Sequence, residues 1–350
     1  MSGGMDAVPS VRHLAALSDD VGLFEHAEFT RPRPEHGYCV DDVARGLAVL
    51  CRGPVRDDEV ATAADLTRRY LAFVIEAQAP DGRVVNRRDV QGRWHGEPGV
   101  QDWWGRALWG LATAAARSSD PAVAAPALEG FERGAGLRSP WPCAMAFAGL
   151  GAAEVVAVDP DHAAARALLA DAAVAVGPVG TDPRWPWPQP RLRYANAAVP
   201  EVLVAAGDLL GDRAMLEDGL RLLEWLLSVE TVDDHLSPTP VDGWSLGEPR
   251  PGFDQQPIEV AALADACARA LAVTGDPRWA CAVEQAAAWF TGANDAGADL
   301  TDPVSGGGCD GLEATGRNEN QGAESTLALL STMQLAALQS ATRLAPAAAR

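Results

Sequence analysis

The chain has 350 residues, 48% of them hydrophobic, and a formal net charge of −20. That length supplies ample core, and the charge excludes nucleic acid and anionic membrane surfaces as natural partners. The N-terminal stretch has no basic region followed by an apolar run, and nothing approaches the ~18 apolar residues of a membrane span, so neither a signal peptide nor a membrane helix is expected. The six cysteines are scattered, with no C-x-x-C pair and no histidine at ligand spacing. Reduced thiols in a cytoplasm are the expectation, with no metal site and no cofactor. Against 3 Tyr and 7 Phe stand 11 Trp, an excess that needs a use.

Strand signals are scarce, and Ala/Leu-rich segments with 3-to-4 spacing run through the chain. A first helix is predicted near Val11–Leu17. A polar loop then leads through Glu35-His36-Gly37-Tyr38-Cys39-Val40 to Asp41-Asp42, which open a helix to about Cys51. Asp41 and Arg45, four apart, are expected to pair, leaving Asp42 free. After a short turn comes a helix over about Asp58–Gln78. A long loop holding Trp94 and His95 enters the helix that starts Asp102-Trp103-Trp104-Gly105-Arg106, whose partner follows the turn at Ser118–Pro121. Ser139-Pro140 is predicted to open the next helix, with Asp159-Pro160 opening its partner. A loop with Trp185-Pro186-Trp187 enters a helix from Tyr194 that includes Asn196 and Glu201. Its partner runs over Arg213–Ser228. A loop with Trp244 leads to Asp254-Gln255-Gln256-Pro257 and a helix to about Val273, followed by its partner to Phe290. A glycine-rich loop with Asp310 and Asn318 ends at Asn320-Gln321, which opens the last helix with Glu324 in its first turn.

Two kinds of helix therefore alternate. Those starting near 41, 102, 140, 194, 255 and 321 mostly follow long loops. Those near 58, 121, 160, 213 and 277 follow short turns, and the helix near Val11 supplies the sixth partner. Six helical hairpins closing on themselves give an all-α (α/α)6 toroid, in which inner and outer helix rings form a single domain over 1–350. The runner-up, an open solenoid, fits the uneven loops less well. In the toroid the long loops build one mouth, and a site belongs at the N-terminal ends of the inner helices.

The residues gathered at that mouth are carboxylates, carboxamides and indoles. Asp42 and Glu324 are the first candidates for a catalytic acid/base pair, since the first and last inner helices must be neighbours where the ring closes. Asp41, Asp102 and Asp254 are further catalytic candidates. Candidates for binding substrate are His36, Trp103, Trp104, Arg106, Trp185, Trp187, Asn196, Trp244, Gln255, Gln256, Asp310, Asn318, Asn320 and Gln321. Sugars suit that mixture: their C–H faces stack on indole and their hydroxyls pair with carboxylates and amides. Each has a plainer reading too: Trp103 and Trp104 at helical spacing also suit a core, Asp254 a helix cap, and His36 an ordinary loop. Gly306-Gly307-Gly308 lacks the Lys and Ser/Thr of a phosphate loop.

The segments HGYCVDDVARG, WGRALWGL, FDQQPIEVAAL, WFTGAND and CDGLEATGRNENQGAESTLALL resemble a bacterial six-hairpin glycosidase-like domain of the (α/α)6 type, which occurs fused to or encoded beside glycosyltransferases. The resemblance runs from about Asp19 to about Leu338. It implies a carbohydrate-active enzyme, with glycoside hydrolysis the leading activity. A non-catalytic glycan-binding module is the alternative. The implied partners are an oligosaccharide or glycoside and a glycosyltransferase on a separate chain. A toroid of the cyclase or prenyltransferase kind would need a zinc-ligand set or a second aspartate-rich motif, and the sequence has neither.

Overall fold

Short capping sequences decide where the outer helices begin. Asp120, Asp212 and Asp276 each accept a hydrogen bond from a backbone N–H of the helix that follows, at 2.9, 3.0 and 3.0 Å. Pro121 and Pro277 stand at the first helical position, where the missing N–H is not needed.

The computed structural model describes residues 8–344, and among them twelve helices follow one another. In chain order they are α1 (Arg12–Ala16), α2 (Val40–Arg52), α3 (Val60–Ala77), α4 (Asp102–Arg117), α5 (Pro121–Ala135), α6 (Pro142–Val158), α7 (Ala163–Ala175), α8 (Ala198–Leu210), α9 (Arg213–Val229), α10 (Pro257–Thr274), α11 (Pro277–Phe290) and α12 (Ala323–Leu344). The even-numbered helices pack in sequence, α2 on α4 through to α10 on α12, and α12 returns to α2. Each odd-numbered helix lies outside that ring, and α1 rests on α12. The chain is an (α/α)6 toroid, as its pattern predicts.

Composition separates the two rings. Inner helix α6 is apolar on every face apart from Glu154 near its end, and every residue from Ala144 to Val156 is buried. Outer helix α9 buries only Gly219, Leu222, Leu223 and Leu226, one stripe, and leaves a charged face to solvent. Two glycines of the Trp-Gly-Arg segment permit the tight inner packing. A Cβ on Gly105 would stand 2.2 Å from the Ala144 carbonyl oxygen, and one on Gly110 would stand 2.5 Å from that of Ala44. Alanine at either position would push α4 away from α6 or α2.

The described strands are two or three residues long and lie in the loops that enter inner helices. One three-stranded patch fixes the first mouth loop: Tyr38 and Cys39 pair with Arg88 and Arg87, which pair in turn with Trp94 and His95. Three expected helix starts shift. α6 begins at Pro142 rather than at Ser139-Pro140, because the Ser139 hydroxyl accepts the Trp141 N–H at 3.1 Å and holds that residue outside the helix. α7 begins at Ala163, where His162 caps through its ring nitrogen. α8 begins at Ala198, not Tyr194, because Ala195 adopts a φ of 49° that no right-handed helix contains.

Candidate active site

All six inner helices present their N-terminal ends to one open cavity of about 820 Å³. Asp41 and Asp42 come from α2, Asp102, Trp103 and Arg106 from α4, and Trp141 and Cys143 from the start of α6. Tyr194 precedes α8, Gln256 precedes α10, and Glu324 and Ser325 open α12. Glu25, Arg87 and Asp310 complete the wall from the loops.

The floor is built around Arg45. Its guanidinium is buried, and it donates through Nη1 to Asp42 Oδ1 at 3.0 Å and through Nη2 to Glu324 Oε2 and to the Tyr194 hydroxyl, both at 3.1 Å. Tyr194 in turn donates to Glu324 Oε2. Asp42 and Glu324, 282 positions apart in sequence by their numbers, thus share one cation. Two carboxyls held on the two Nη nitrogens of a single guanidinium are brought side by side at the cavity floor.

Their environments push the two apart. Burial raises Asp42, and the nearby charges of Glu324, Glu25 and Asp41 raise it further, against the pull of Arg45; its pKa stands at about 7. Burial also acts to raise Glu324, but Arg45, the Tyr194 hydroxyl and Arg106 together outweigh it and hold its carboxyl below the ordinary glutamate range. One cation between two acids leaves one of them a proton near neutrality. A third of the Glu324 side chain is open to the cavity, against 6% of the Asp42 side chain.

The expected Asp41–Arg45 pair does not form. Asp41 reaches across to Arg106 Nη1 on α4, at 2.9 Å, and Asp42 takes Arg45 instead. Arg45 points at the barrel axis, where Asp42 shares its buried face and a tertiary partner is within reach of Asp41. Helix spacing reports only the local options.

Of the remaining candidates, Asp102, Trp103, Arg106, Gln256 and Asp310 line the cavity. Burial raises both Asp102 and Asp310 above the usual aspartate range. Trp103 also donates its indole N–H to the Val84 carbonyl at 2.8 Å, which fixes its ring. The other candidates stand elsewhere. Trp104 is fully buried in the core. His36 lies off the cavity wall, its ring edge-on to His26 at 4.9 Å. Asp254 is exposed outside the cavity. Asn196 is buried and bound to Glu259 at 3.0 Å. Gln255 is buried beneath the loops and donates to the Gly252 carbonyl at 2.7 Å. Gln321 bridges Asp302 and Ser305 at 2.9 and 2.7 Å, and Asn320 accepts the Phe29 N–H at 2.9 Å. Asn318 accepts the Asn320 N–H at 3.1 Å. These amides are tied to the backbone and side chains of the loops and do not line the cavity.

The three loop indoles are also corrected. Trp185 packs against Trp225 and Trp244 at 5.4 and 5.3 Å between ring centres, and Trp187 stacks on Trp225 at 6.0 Å. Trp225 of α9 draws them into a cluster away from the cavity, where the Trp185 and Trp244 N–H groups bond loop carbonyls at 2.9 and 3.0 Å. The exposed indole on the cavity wall is Trp141, with 55% of its surface open.

Glu259 carries no obvious signal in the sequence. It accepts from the Ala195 and Asn196 N–H groups at 2.5 and 3.1 Å, and so pins the left-handed Ala195 that places Tyr194 over Glu324. Burial, with Glu230 adding to it, lifts its pKa to about 8. Glu25, Cys39 and Asp42 bring ligand atoms within 4.8 Å of one another, the one such triple among the described residues. Its members are otherwise engaged: Glu25 with Arg87, Asp42 with Arg45, and Cys39 donating its thiol to Asp42 Oδ2 at 3.3 Å, with burial holding that thiol well above its usual value.

No protein-family model matches the chain, and no curated protein matches it in sequence. Solved structures match it in shape. A sugar epimerase from a ruminal bacterium superposes with a TM-score of 0.71 at 11% identity, covering 95% of this chain and 96% of that one. Cellobiose 2-epimerase from Spirochaeta thermophila gives 0.67 at 12% identity, covering 95% and 94%. A metagenome-derived glycoside hydrolase family 9 endoglucanase gives 0.61 at 15% identity, covering 90% of this chain and 70% of the other. At such identities the likeness establishes the architecture alone, and the chain has the (α/α)6 barrel fold.

Proposed function

We propose that this protein is a carbohydrate-active enzyme that cleaves a glycosidic bond in the cavity. One observation carries the reading: Asp42 and Glu324 share Arg45 at the cavity floor and are pushed in opposite directions by their surroundings. A glycosidase needs one carboxyl that keeps its proton and one that does not. Asp42 is the proton donor to the leaving oxygen. Glu324 is the ionised partner, acting on the anomeric carbon or on water, with Tyr194 and Arg45 holding it in place. Trp103 and Trp141 offer faces for sugar stacking, and Gln256, Asp102 and Asp310 offer partners for hydroxyls.

A second reading, epimerisation or isomerisation of a sugar, is favoured by the two-way coverage of the epimerase structures, whose chains match this one almost end to end. The same two carboxyls would then open the ring and move a proton next to the carbonyl. One experiment separates the two. Wild type and Asp42→Asn are incubated with α- and β-linked oligosaccharides, aryl glycosides and free reducing disaccharides, with chromatographic product detection. Chain shortening by wild type alone supports hydrolysis. A product of unchanged size and altered configuration supports the second reading. Binding without any product would make the protein a glycan-binding module.

A further inference from the structure

A buried carboxylate needs a reason, and Glu259 has neither of the usual ones. It takes part in no ion pair among the described residues, and the titratable groups that face it, Glu230 and Cys143, bring no positive charge. It stands at the third position of α10, where a glutamate commonly reaches back to the cap N–H, yet its three hydrogen bonds all leave the helix. Oε1 accepts the Ala195 N–H at 2.5 Å, and Oε2 accepts the Asn196 N–H at 3.1 Å and the Asn196 side-chain amide at 3.0 Å.

Those two residues carry the turn that delivers Tyr194. Ala195 holds a φ of 49°, a left-handed conformation that is costly with a Cβ and persists only where the surroundings impose it. Two N–H groups and an amide converging on one carboxylate impose it here. Just before the turn, the Tyr194 hydroxyl donates to Glu324 Oε2 and accepts from Arg45 Nη2 at 3.1 Å, and its ring lies 5.2 Å from the Arg106 guanidinium. A side chain on α10 thus reaches Glu324 on α12 through the entry to α8.

Resting on the sugar-cleaving reading above, we propose that Glu259 is a positioning residue for the reaction: by fixing the turn at Ala195 and Asn196 it keeps the Tyr194 hydroxyl bonded to Glu324. A donor held on that oxygen favours the ionised carboxyl that the reaction needs. The other titratable and charged groups that face Glu324 are Arg45 and Asp42 of α2, Arg106 of α4 and Asp310 of the loop before α12. Substitutions at Glu259 and Tyr194 leave all of these residues unaltered.

The test is a double-variant cycle in the full-length protein: Glu259→Gln, Tyr194→Phe and the two together. Two readouts are taken. One is the acid limb of kcat/KM on a cleaved oligosaccharide. The other needs no turnover: it is the titration of the Glu324 carboxyl followed by carboxyl-carbon NMR, with the resonance identified by its loss in Glu324→Gln. Tyr194→Phe removes the donor and should raise both by roughly one pH unit. Glu259→Gln, whose amide nitrogen would face N–H groups, should raise them in the same direction. The double variant should go no further than Tyr194→Phe alone. Asn196→Ala, which removes one of the three bonds, should give a smaller rise and takes the place of Glu259→Gln if that variant does not fold. A Glu324 titration that stays put in either single variant, or shifts that add in the double variant, overturns the positioning role and leaves glycosidic cleavage standing if wild type shortens chains. If wild type shortens none, the cleavage reading falls, and the carboxyl titration alone decides whether Glu259 acts on Glu324.

Discussion

The two ends of the barrel use the same chemistry to opposite ends. At the mouth, six carboxyls outnumber the guanidiniums beside them, Arg106 keeps two nitrogens without a partner, and the space between them is open. Toward the other end, three guanidiniums meet three carboxyls and fill the axis. Arg52 binds Asp265 at 2.8 Å, and Arg269 binds Glu201 and Glu154 at 3.0 and 3.4 Å. Arg117 binds Glu154 at 2.7 Å. A chamber of about 30 Å³, room for about one water, separates the two sets, with Arg45 above it and Glu201, Asp265 and Ser331 beside it. Balanced charge closes one end as a plug, while surplus acid at the other leaves groups that hold or release a proton. Burial of ionisable groups is thus not in itself the mark of a site; an unbalanced count beside open volume is.

The largest effect expected from breaking this contrast is at the mouth. Asp42→Asn and Glu324→Gln should each lower turnover by on the order of 10²–10⁴-fold while leaving the circular dichroism spectrum helical. Removing a plug cation should do the reverse. Arg269→Met strands Glu201 in the interior, leaves Glu154 to Arg117 alone, and should cost about 3–5 kcal/mol in urea unfolding, with activity per folded molecule unchanged.

The same contrast predicts two kinds of pH dependence. Asp42 and Glu201 are both raised to about 7, chiefly by burial. For each, the native state keeps a proton that the unfolded chain has released. Their contribution to stability is therefore present at low pH and is lost as pH rises from about 4 toward about 7. Asp42→Asn and Glu201→Gln should each flatten that slope in unfolding curves taken across this window. Only the Asp42 change should also alter the rate.

Smaller effects sharpen the aromatic assignment. Trp141→Ala should weaken oligosaccharide binding by roughly ten-fold without loss of stability, since the ring is exposed on the wall. Trp187→Ala, at 4% exposure inside the indole cluster, should leave binding alone and cost about 3 kcal/mol or more in unfolding. Indole fluorescence titration and urea curves on both variants check this directly.

The features that gave away the fold were local: Ala/Leu-rich segments at 3-to-4 spacing, and long loops alternating with short turns between them. Ring closure then follows from counting hairpins, and it brings the starts of α2 and α12 together, so the neighbourhood of Asp42 and Glu324 was legible before any coordinates. Side-chain pairing was not. Asp41 could see Arg45 through helix spacing but not Arg106 on another helix. Trp185 and Trp187, split by prolines, read the same whether they face a sugar or Trp225. Glu259 looks in sequence like any first-turn acid, because its work is to hold two N–H groups 64 and 63 positions away. Tertiary partners decide these cases, and one-dimensional spacing carries no trace of them.

The central claim is that Asp42 gives the proton and Glu324 stays ionised around one arginine. The pH dependence of kcat/KM on a cleaved oligosaccharide tests it most directly. The account predicts a bell whose alkaline limb falls near pH 7, as Asp42 loses its proton, and whose acid limb lies below the ordinary glutamate value, where Glu324 gains one. In Glu324→Gln the residual rate should lose the acid limb and keep the alkaline one. A rate that stays level through about pH 9, or an Asp42→Asn enzyme with the wild-type profile, would contradict the assignment.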